Sequence, residues 1–329
     1  MLNSYLKLNT KVFDKDVEMV PIRKGFGEGL LEAGKKDERV VGLCADLTES
    51  TMMHLFKKEF PLRFIQIGIG EQNLASTASG MAAMGKIAFI SSYAMFSPGR
   101  NWEQIRTTIC YNNANVKIAG SHAGVSVGPD GATHQALEDI ALTRVIPNMM
   151  VISPCDALEA KKATLALAQT TTPAYLRLAR EGTPVITTLN TPFSIGKAEV
   201  YFDTEKPVAT IVATGALVHK ALVAASELEK EGIATTVVNL ATIKPLDEET
   251  IIREAKRTGA VVTVEEHQIR GGMGSAVAEC LSKNYPVPQE FIGVDDQFGQ
   301  SGTPSELLEH YGMGASHIKE AVKKVIMRK

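Results

Sequence analysis

Two open α/β domains with mostly parallel sheets are the fold this sequence predicts, and three observations predict it. Short β-branched runs alternate with longer stretches of helical periodicity from about residue 19 onward, the rhythm of strand–helix–strand units. At 329 residues the chain exceeds the usual size of a single core. An aperiodic segment, Glu181-Gly-Thr-Pro-Val-Ile-Thr-Thr-Leu-Asn-Thr-Pro, carries two prolines and breaks the rhythm, so a domain boundary belongs there. The expected organisation is a polar, loosely packed lead-in over 1–18, a first domain over 19–183, a linker over 184–194 and a second domain over 195–329.

The elements follow in order. A helical pattern over 23–36 precedes the strand-like run Arg39-Val-Val-Gly-Leu-Cys-Ala45. Further strands are expected at 62–67, 86–91, 115–120 and 149–153, with helices near 71–84, 101–112, 133–144 and 156–168. Arg177-Leu-Ala-Arg180 ends the last strand of the first half. The second half restarts with a strand at Val208-Ala-Thr-Ile-Val-Ala-Thr-Gly, a helix running to Gly232 and a strand at Ala234-Thr-Thr-Val-Val-Asn-Leu. A helix at 247–257 precedes the strand Ala260-Val-Val-Thr-Val-Glu-Glu. The turn Arg270-Gly-Gly-Met-Gly leads into a helix at 275–283, and Glu290-Phe-Ile-Gly-Val is the last strand.

Composition excludes several classes. Net charge is −2, and the lysine pairs Lys35-Lys36, Lys57-Lys58 and Lys161-Lys162 are isolated, so no basic field for nucleic acid or a membrane surface is present. No apolar run reaches the length of a membrane span. The N-terminal residues show no apolar core of a leader, and the expected location is cytoplasmic. Cys44, Cys110, Cys155 and Cys280 form no C-x-x-C pair and no zinc spacing, which reads as four reduced thiols.

Common nucleotide and hydrolase signatures fail. Gly25-Phe-Gly-Glu-Gly-Leu lacks the third position of G-x-G-x-x-G and follows no strand. There is no Walker A motif and no G-x-S-x-G elbow. Other features point to a site. In Arg63-Phe-Ile-Gln-Ile-Gly-Ile-Gly-Glu71 an apolar run ends in glycines and a carboxylate opens a helix. A partly desolvated glutamate there can donate as well as accept a hydrogen bond, which suits proton relay to a ring nitrogen. On this turn alone, a glutamate held by the helix macrodipole is the better explanation.

The stretch Gly120-Ser-His-Ala-Gly-Val-Ser-Val-Gly-Pro-Asp-Gly-Ala-Thr-His-Gln places His122, Asp130 and His134 in one glycine-rich loop after a strand. Two histidines so placed can bind a carbonyl or hydroxyl oxygen and shuttle its proton near neutral pH. Tyr93 and Phe96 follow a strand end and serve either a planar ring or the core. Arg23, Ser50 and Arg180 sit at element ends and would bind a phosphate if they converge. Glu265-Glu-His267 before the 270–274 turn either binds an anion at a helix N-terminus or packs it tightly.

Taken in order, these motifs resemble the C-terminal half of transketolase: a pyrimidine-binding domain followed by a transketolase C-terminal domain. The pieces that carry the resemblance are Ala45-Asp-Leu-Thr, Gly68-Ile-Gly-Glu-Gln, the loop ending Asp130-Gly-Ala-Thr-His-Gln and Ile243-Lys-Pro-Leu-Asp. Each is weak alone, and four in register are strong. The resemblance implies that Glu71 bonds the pyrimidine nitrogen of thiamine diphosphate and promotes loss of the thiazolium C2 proton. It implies that Tyr93 and Phe96 stack on the pyrimidine and that Asp46 lies near the cofactor. His122, Asp130 and His134 match residues on the sugar oxygens, with Glu71, His122 and His134 as the catalytic groups. Arg23, Ser50 and Arg180 match the grip on the sugar phosphate.

Two departures qualify it. The Gly99-Arg100 region replaces the family's third aromatic. The Gly-Asp-Gly…Asn motif that holds the diphosphate through Mg²⁺ or another divalent ion is missing; Asn112-Asn113 lacks the upstream Gly-Asp-Gly. The implied protein is therefore the small subunit of a split, thiamine diphosphate-dependent transketolase, with no metal ligands of its own. An N-terminal partner subunit would supply the metal site, in an α2β2 heterotetramer. The implied reaction moves a two-carbon ketol unit from a ketose phosphate of the xylulose 5-phosphate type to an aldose phosphate, as in pentose phosphate metabolism. Four rivals remain: a 1-deoxyxylulose-5-phosphate synthase-like subunit, a 2-oxo acid dehydrogenase β-like subunit, a transketolase-like enzyme acting on an unusual pentose phosphate and a non-catalytic assembly subunit.

Overall fold

The computed structural model describes residues 1–329, and its two α/β domains are rich in parallel strands as expected. The larger sheet runs in the order Thr242–Lys244, Met150–Ile152, Ala174–Arg177, Val116–Ser121, Ile87–Tyr93, Val40–Cys44, Phe64–Gln66. The last six of these strands are parallel. Every residue of Val40–Cys44 and of Val116–Ser121 is buried, as continuous strands covered by helices on both faces require.

One face of this sheet carries the helices Ile22–Lys36 and Ala157–Ala168. Their contact explains the glycine run that failed as a nucleotide motif. A Cβ on Gly25 would fall 1.8 Å from the Ala157 carbonyl oxygen, and one on Gly29 2.8 Å from the Thr164 side chain. These glycines let two helices touch along their backbones. The other face carries Glu71–Ala83 and the segment after it, and it merges with the core of the second domain.

The second sheet runs Gln289–Val294, Val261–Gln268, Ala209–Ala213, Thr235–Asn239, Glu199–Phe202, with only the last strand antiparallel. Val218–Lys230 and Ala315–Ile326 cover one face. Glu248–Thr258 and Met273–Asn284 cover the face toward the first domain. One strand crossing ties the domains together. Thr242–Lys244, from the second half, pairs antiparallel with Met150–Ile152 and so extends the first sheet. Within the first domain, Met19–Pro21 pairs antiparallel with Gly182–Pro184 and joins its two ends. No helix is long and apolar enough to cross a membrane, and all four cysteines are buried and unpaired.

Three local expectations are corrected. The lead-in is not loose: Leu6, Leu8 and Val12 are buried against the second domain, and the Asn3 amide N–H donates to the Tyr201 carbonyl at 2.9 Å. Its apolar anchors have no regular spacing, so no period reveals them. The helix expected over 101–112 is a short α-helical turn, Trp102–Gln104, that widens into a π-helix over Ile105–Cys110. The helix expected over 133–144 begins only at Asp139. Before it, the Gln135 amide reaches the carbonyls of Val125 and Gln300 at 3.1 and 2.9 Å, which holds that stretch as a loop.

Lys117 gives a stability prediction. It lies on a central strand at 1% exposure, with Nζ on Thr170 Oγ1 and the Thr172 carbonyl at 3.0 and 2.5 Å. Burial without a carboxylate pulls its amine down from 10.5 to about 7. Between those values the unfolded chain holds a proton that the folded chain has lost, so this lysine adds stability as pH rises. The stability of the wild type relative to Lys117→Met should rise by about 1.4 kcal/mol per pH unit across that window. Urea unfolding at pH values near 8 and 9 reads it, and a pH-independent difference contradicts it.

Candidate active site

Parallel strands bring their carboxyl ends to one edge, and five candidates sit along that edge. Asp46 follows Val40–Cys44, Glu71 follows Phe64–Gln66, and Tyr93 ends Ile87–Tyr93. His122 follows Val116–Ser121, and Arg180 follows Ala174–Arg177. Asp46 and His122 both take left-handed backbone conformations, with φ of 59° and 58°. That region is costly for residues other than glycine and collects at functional turns.

Glu71 is 4% exposed at the first position of its helix. Its Oε1 accepts from Ser92 Oγ at 3.1 Å, and its carbonyl accepts from Asn101 Nδ2 at 3.1 Å. Its Oε2 faces the Arg100 guanidinium at 3.4 Å. Arg100 also lies over the Phe96 ring, 4.0 Å from its centre. The position where an aromatic was expected thus holds a planar cation that touches both the acid and the ring.

The rings form one cluster. Tyr93 stacks on His122 with centres 3.8 Å apart and lies nearly parallel to Phe96 at 6.1 Å. His134 meets Tyr93 and Phe96 edge-on at 6.2 and 5.4 Å. Ser121 Oγ sits 2.9 Å from His122 Nδ1, and Thr133 Oγ1 sits 3.0 Å from His134 Nδ1. Burial, then the charges of Arg23, Arg180 and His134, pull the His122 imidazole down to about 3. His122 is therefore a neutral hydrogen-bonding group at ordinary pH. This departs from the expectation of a proton shuttle near neutrality, because desolvation outweighs the intrinsic basicity of the ring.

Arg23 and Arg180 converge beside it. Arg23 Nε donates to the Arg180 carbonyl at 3.0 Å, and Arg23 Nη1 donates to the Ser50 carbonyl. Ser50 thus meets Arg23 through its main chain and not through its hydroxyl. Arg180 Nη1 donates to the Val127 carbonyl at 2.7 Å and lies 3.6 Å from Asp130 Oδ1. Burial and then the nearby Arg180 charge lower the Arg23 guanidinium from its usual value. Two half-buried guanidiniums that repel one another favour an anion between them.

Asp46 stands apart from this group. Its amide N–H donates to Gln66 Oε1 at 2.9 Å, while its exposed carboxylate touches no other candidate. Glu265-Glu-His267 lies within the strand Val261–Gln268 and not in a turn, and it packs a helix end: Glu265 accepts from the amides of Met273 and Gly274 at 2.7 and 2.8 Å. The chain's own carboxylate therefore fills that N-terminus. Sequence reasoning missed Ser92, Asn101 and Ser121, which carry no motif signal. Arg100 was in view only as a missing aromatic.

The edge fits an aminopyrimidine ring. Flat faces of Tyr93 and Phe96 lie beside a buried carboxylate able to meet a ring nitrogen. No three His, Cys, Asp or Glu side chains converge as metal ligands.

Known proteins resemble this chain over nearly its whole length. The model of the transketolase pyrimidine binding domain matches residues 18–185, and that of the transketolase C-terminal domain matches residues 196–318. A Methanocaldococcus jannaschii protein named as a transketolase C-terminal section is 46% identical over 310 residues, covering 92% of this chain and 96% of that protein. The 6-deoxy-6-sulfo-D-fructose transketolase subunit of Clostridium sp. (strain MSTE9) is 39% identical over 317 residues, covering 96% of this chain and 98% of that protein. A solved structure described as a split gene transketolase, inactive beta4 tetramer, superposes with a TM-score of 0.87 at 46% identity, covering 94% of this chain and 99% of that one.

Proposed function

This chain belongs to the transketolase family, and on that premise we propose that it is the C-terminal subunit of a split transketolase acting on phosphorylated ketoses. The observation that carries the reading is the convergence of Glu71, the Tyr93–Phe96–His122–His134 rings and the Arg23–Arg180 pair on one open sheet edge. Thiamine diphosphate, when bound, supplies the electron sink for cleaving the carbon–carbon bond of a ketose.

The chain's own residues do the rest. Glu71 presents its carboxylate to a pyrimidine nitrogen, and Ser92 fixes its orientation. Tyr93 and Phe96 offer the stacking face, and Asp46 stands at the rim of the same edge. Neutral His122 hydrogen-bonds a sugar oxygen without adding to the positive charge of the arginines. His134 and Asp130 face the same space from the far end of the loop. Arg23 and Arg180, with Ser50 behind them, hold the anionic end of the sugar. That grip suits a phosphate of the xylulose 5-phosphate type, and a sulfonate such as the Clostridium relative's name records has similar geometry. Diphosphate and divalent metal ion fall to an N-terminal partner bearing Gly-Asp-Gly…Asn, in an α2β2 assembly. The paired arginines and both loop histidines favour this reading over pyruvate-handling relatives.

The test is ketol transfer from xylulose 5-phosphate by this chain combined with such a partner, thiamine diphosphate and Mg²⁺. In that complex Arg180→Ala should raise KM for xylulose 5-phosphate roughly 10- to 100-fold with kcat little changed, as loss of a charged hydrogen bond made equally in ground and transition states does. An equal loss with unphosphorylated xylulose contradicts the phosphate assignment.

A further inference from the structure

All ten candidate residues lie in the first domain, which leaves the second domain without an evident part in the chemistry. One of its side chains reaches the site from behind. Glu266, near the carboxyl end of Val261–Gln268, is 3% exposed, and its Oε1 accepts from the Ser126 amide at 2.6 Å. The next residue, Val127, gives its carbonyl to Arg180 Nη1 at 2.7 Å. Four residues before Ser126 stands His122.

Loop and carboxylate are shaped against one another. Gly124 has φ of +88°, and a Cβ there would fall 2.3 Å from Glu266 Oε1. From the first sheet, buried Arg177 donates from Nη2 to the Glu266 carbonyl at 2.7 Å and from Nε to Asp139 Oδ2 at 2.9 Å. Glu266 is thus held from one side and holds the loop from the other.

We infer that Glu266 is a positioning residue: it anchors the Gly124–Val127 turn and, through the Val127 carbonyl, sets the Arg180 guanidinium that grips the substrate's anionic end. The inference rests on the ketol-transfer reading above and gives the second domain its part in the site. Without the carboxylate, the Ser126 amide loses its acceptor, the turn relaxes, and Arg180 loses a fixed partner. The effect falls on binding of the charged end and not on the bond-breaking step.

In the reconstituted complex, Glu266→Ala should raise KM for xylulose 5-phosphate about tenfold, while kcat and the KM for xylulose stay within about threefold. Glu266→Gln keeps an acceptor for Ser126 and should lie within about threefold of wild type. Gly124→Ala drives a methyl group into the carboxylate from the loop side and should reproduce the selective KM rise, which keeps the test decisive if Glu266→Ala does not assemble. Proportional loss with both sugars, or a Gln variant as impaired as the Ala variant, overturns the inference. On the isolated subunit, hydrogen exchange at the Ser126 amide should be at least about tenfold faster in Glu266→Ala; unchanged exchange overturns the anchor. A wild-type complex that transfers no ketol unit overturns the proposed function, and the exchange result then stands or falls by itself.

Discussion

Glu71→Ala and Glu71→Gln in the reconstituted enzyme should each lose about 10²- to 10⁴-fold in kcat, the range expected for removing a positioned acid–base group. The glutamine variant is the sharper probe, because it keeps the volume and the acceptor toward Ser92 and removes the charge with the capacity to exchange a proton. Folding should survive both changes. The Asn101 bond to residue 71 goes to its main-chain carbonyl, and Arg100 is 52% exposed and can be solvated. A loss of about 1–2 kcal/mol in unfolding free energy is expected for the alanine variant. Steady-state rates measured beside thermal unfolding and particle size separate the two effects. Near-normal kcat in either variant removes Glu71 from its proposed role.

The isolated chain should show only background ketol transfer, even with thiamine diphosphate, Mg²⁺ and both sugars present. Adding a partner that bears the diphosphate and metal motif should raise the rate by at least about 10³-fold, since the electrostatic clamp on the cofactor's charged end comes with it. The physical reason lies in the exposed edge. Glu71 is buried and braced, yet Tyr93, Phe96 and His134 are only half-buried, and no group of metal ligands converges in this chain. On the proposed reading, this chain supplies one wall of the site and the partner supplies the other. Full activity without a partner sinks the split-subunit reading.

Strands buried on both faces were legible where apolar residues dominate them, as in Val40–Cys44 and, around the buried Lys117, at Val116, Ile118 and Ala119. The turn before Glu71 and the two-histidine loop were legible because glycine and charge together are unusual at a strand end. Other features depend on distant partners. Thr242–Lys244 is three residues long and becomes a strand only beside Met150–Ile152. Leu6, Leu8 and Val12 find their core in the second domain, and the loop before Asp139 stays open because Gln135 bonds carbonyls on two sides. The acidity of His122 was misread for the same reason: burial by the surrounding fold, and after it the charges of Arg23 and Arg180, far away in sequence, set its environment. Glu266 stood in a polar stretch read as a turn that is in fact the end of a strand, and nothing local shows that its carboxylate faces the two-histidine loop while that of Glu265 caps a helix.

The strand that Thr242–Lys244 lends to the first sheet bears on how the protein can be divided. A chain cut at the linker would leave Met150–Ile152 as a bare sheet edge, with unpaired amides and carbonyls beside an uncovered apolar face. Such an edge recruits other chains and aggregates. The two domains are therefore expected to be obtained in soluble form only as one polypeptide or as fragments expressed together. A gene fusion to the partner is better placed at a terminus than between them.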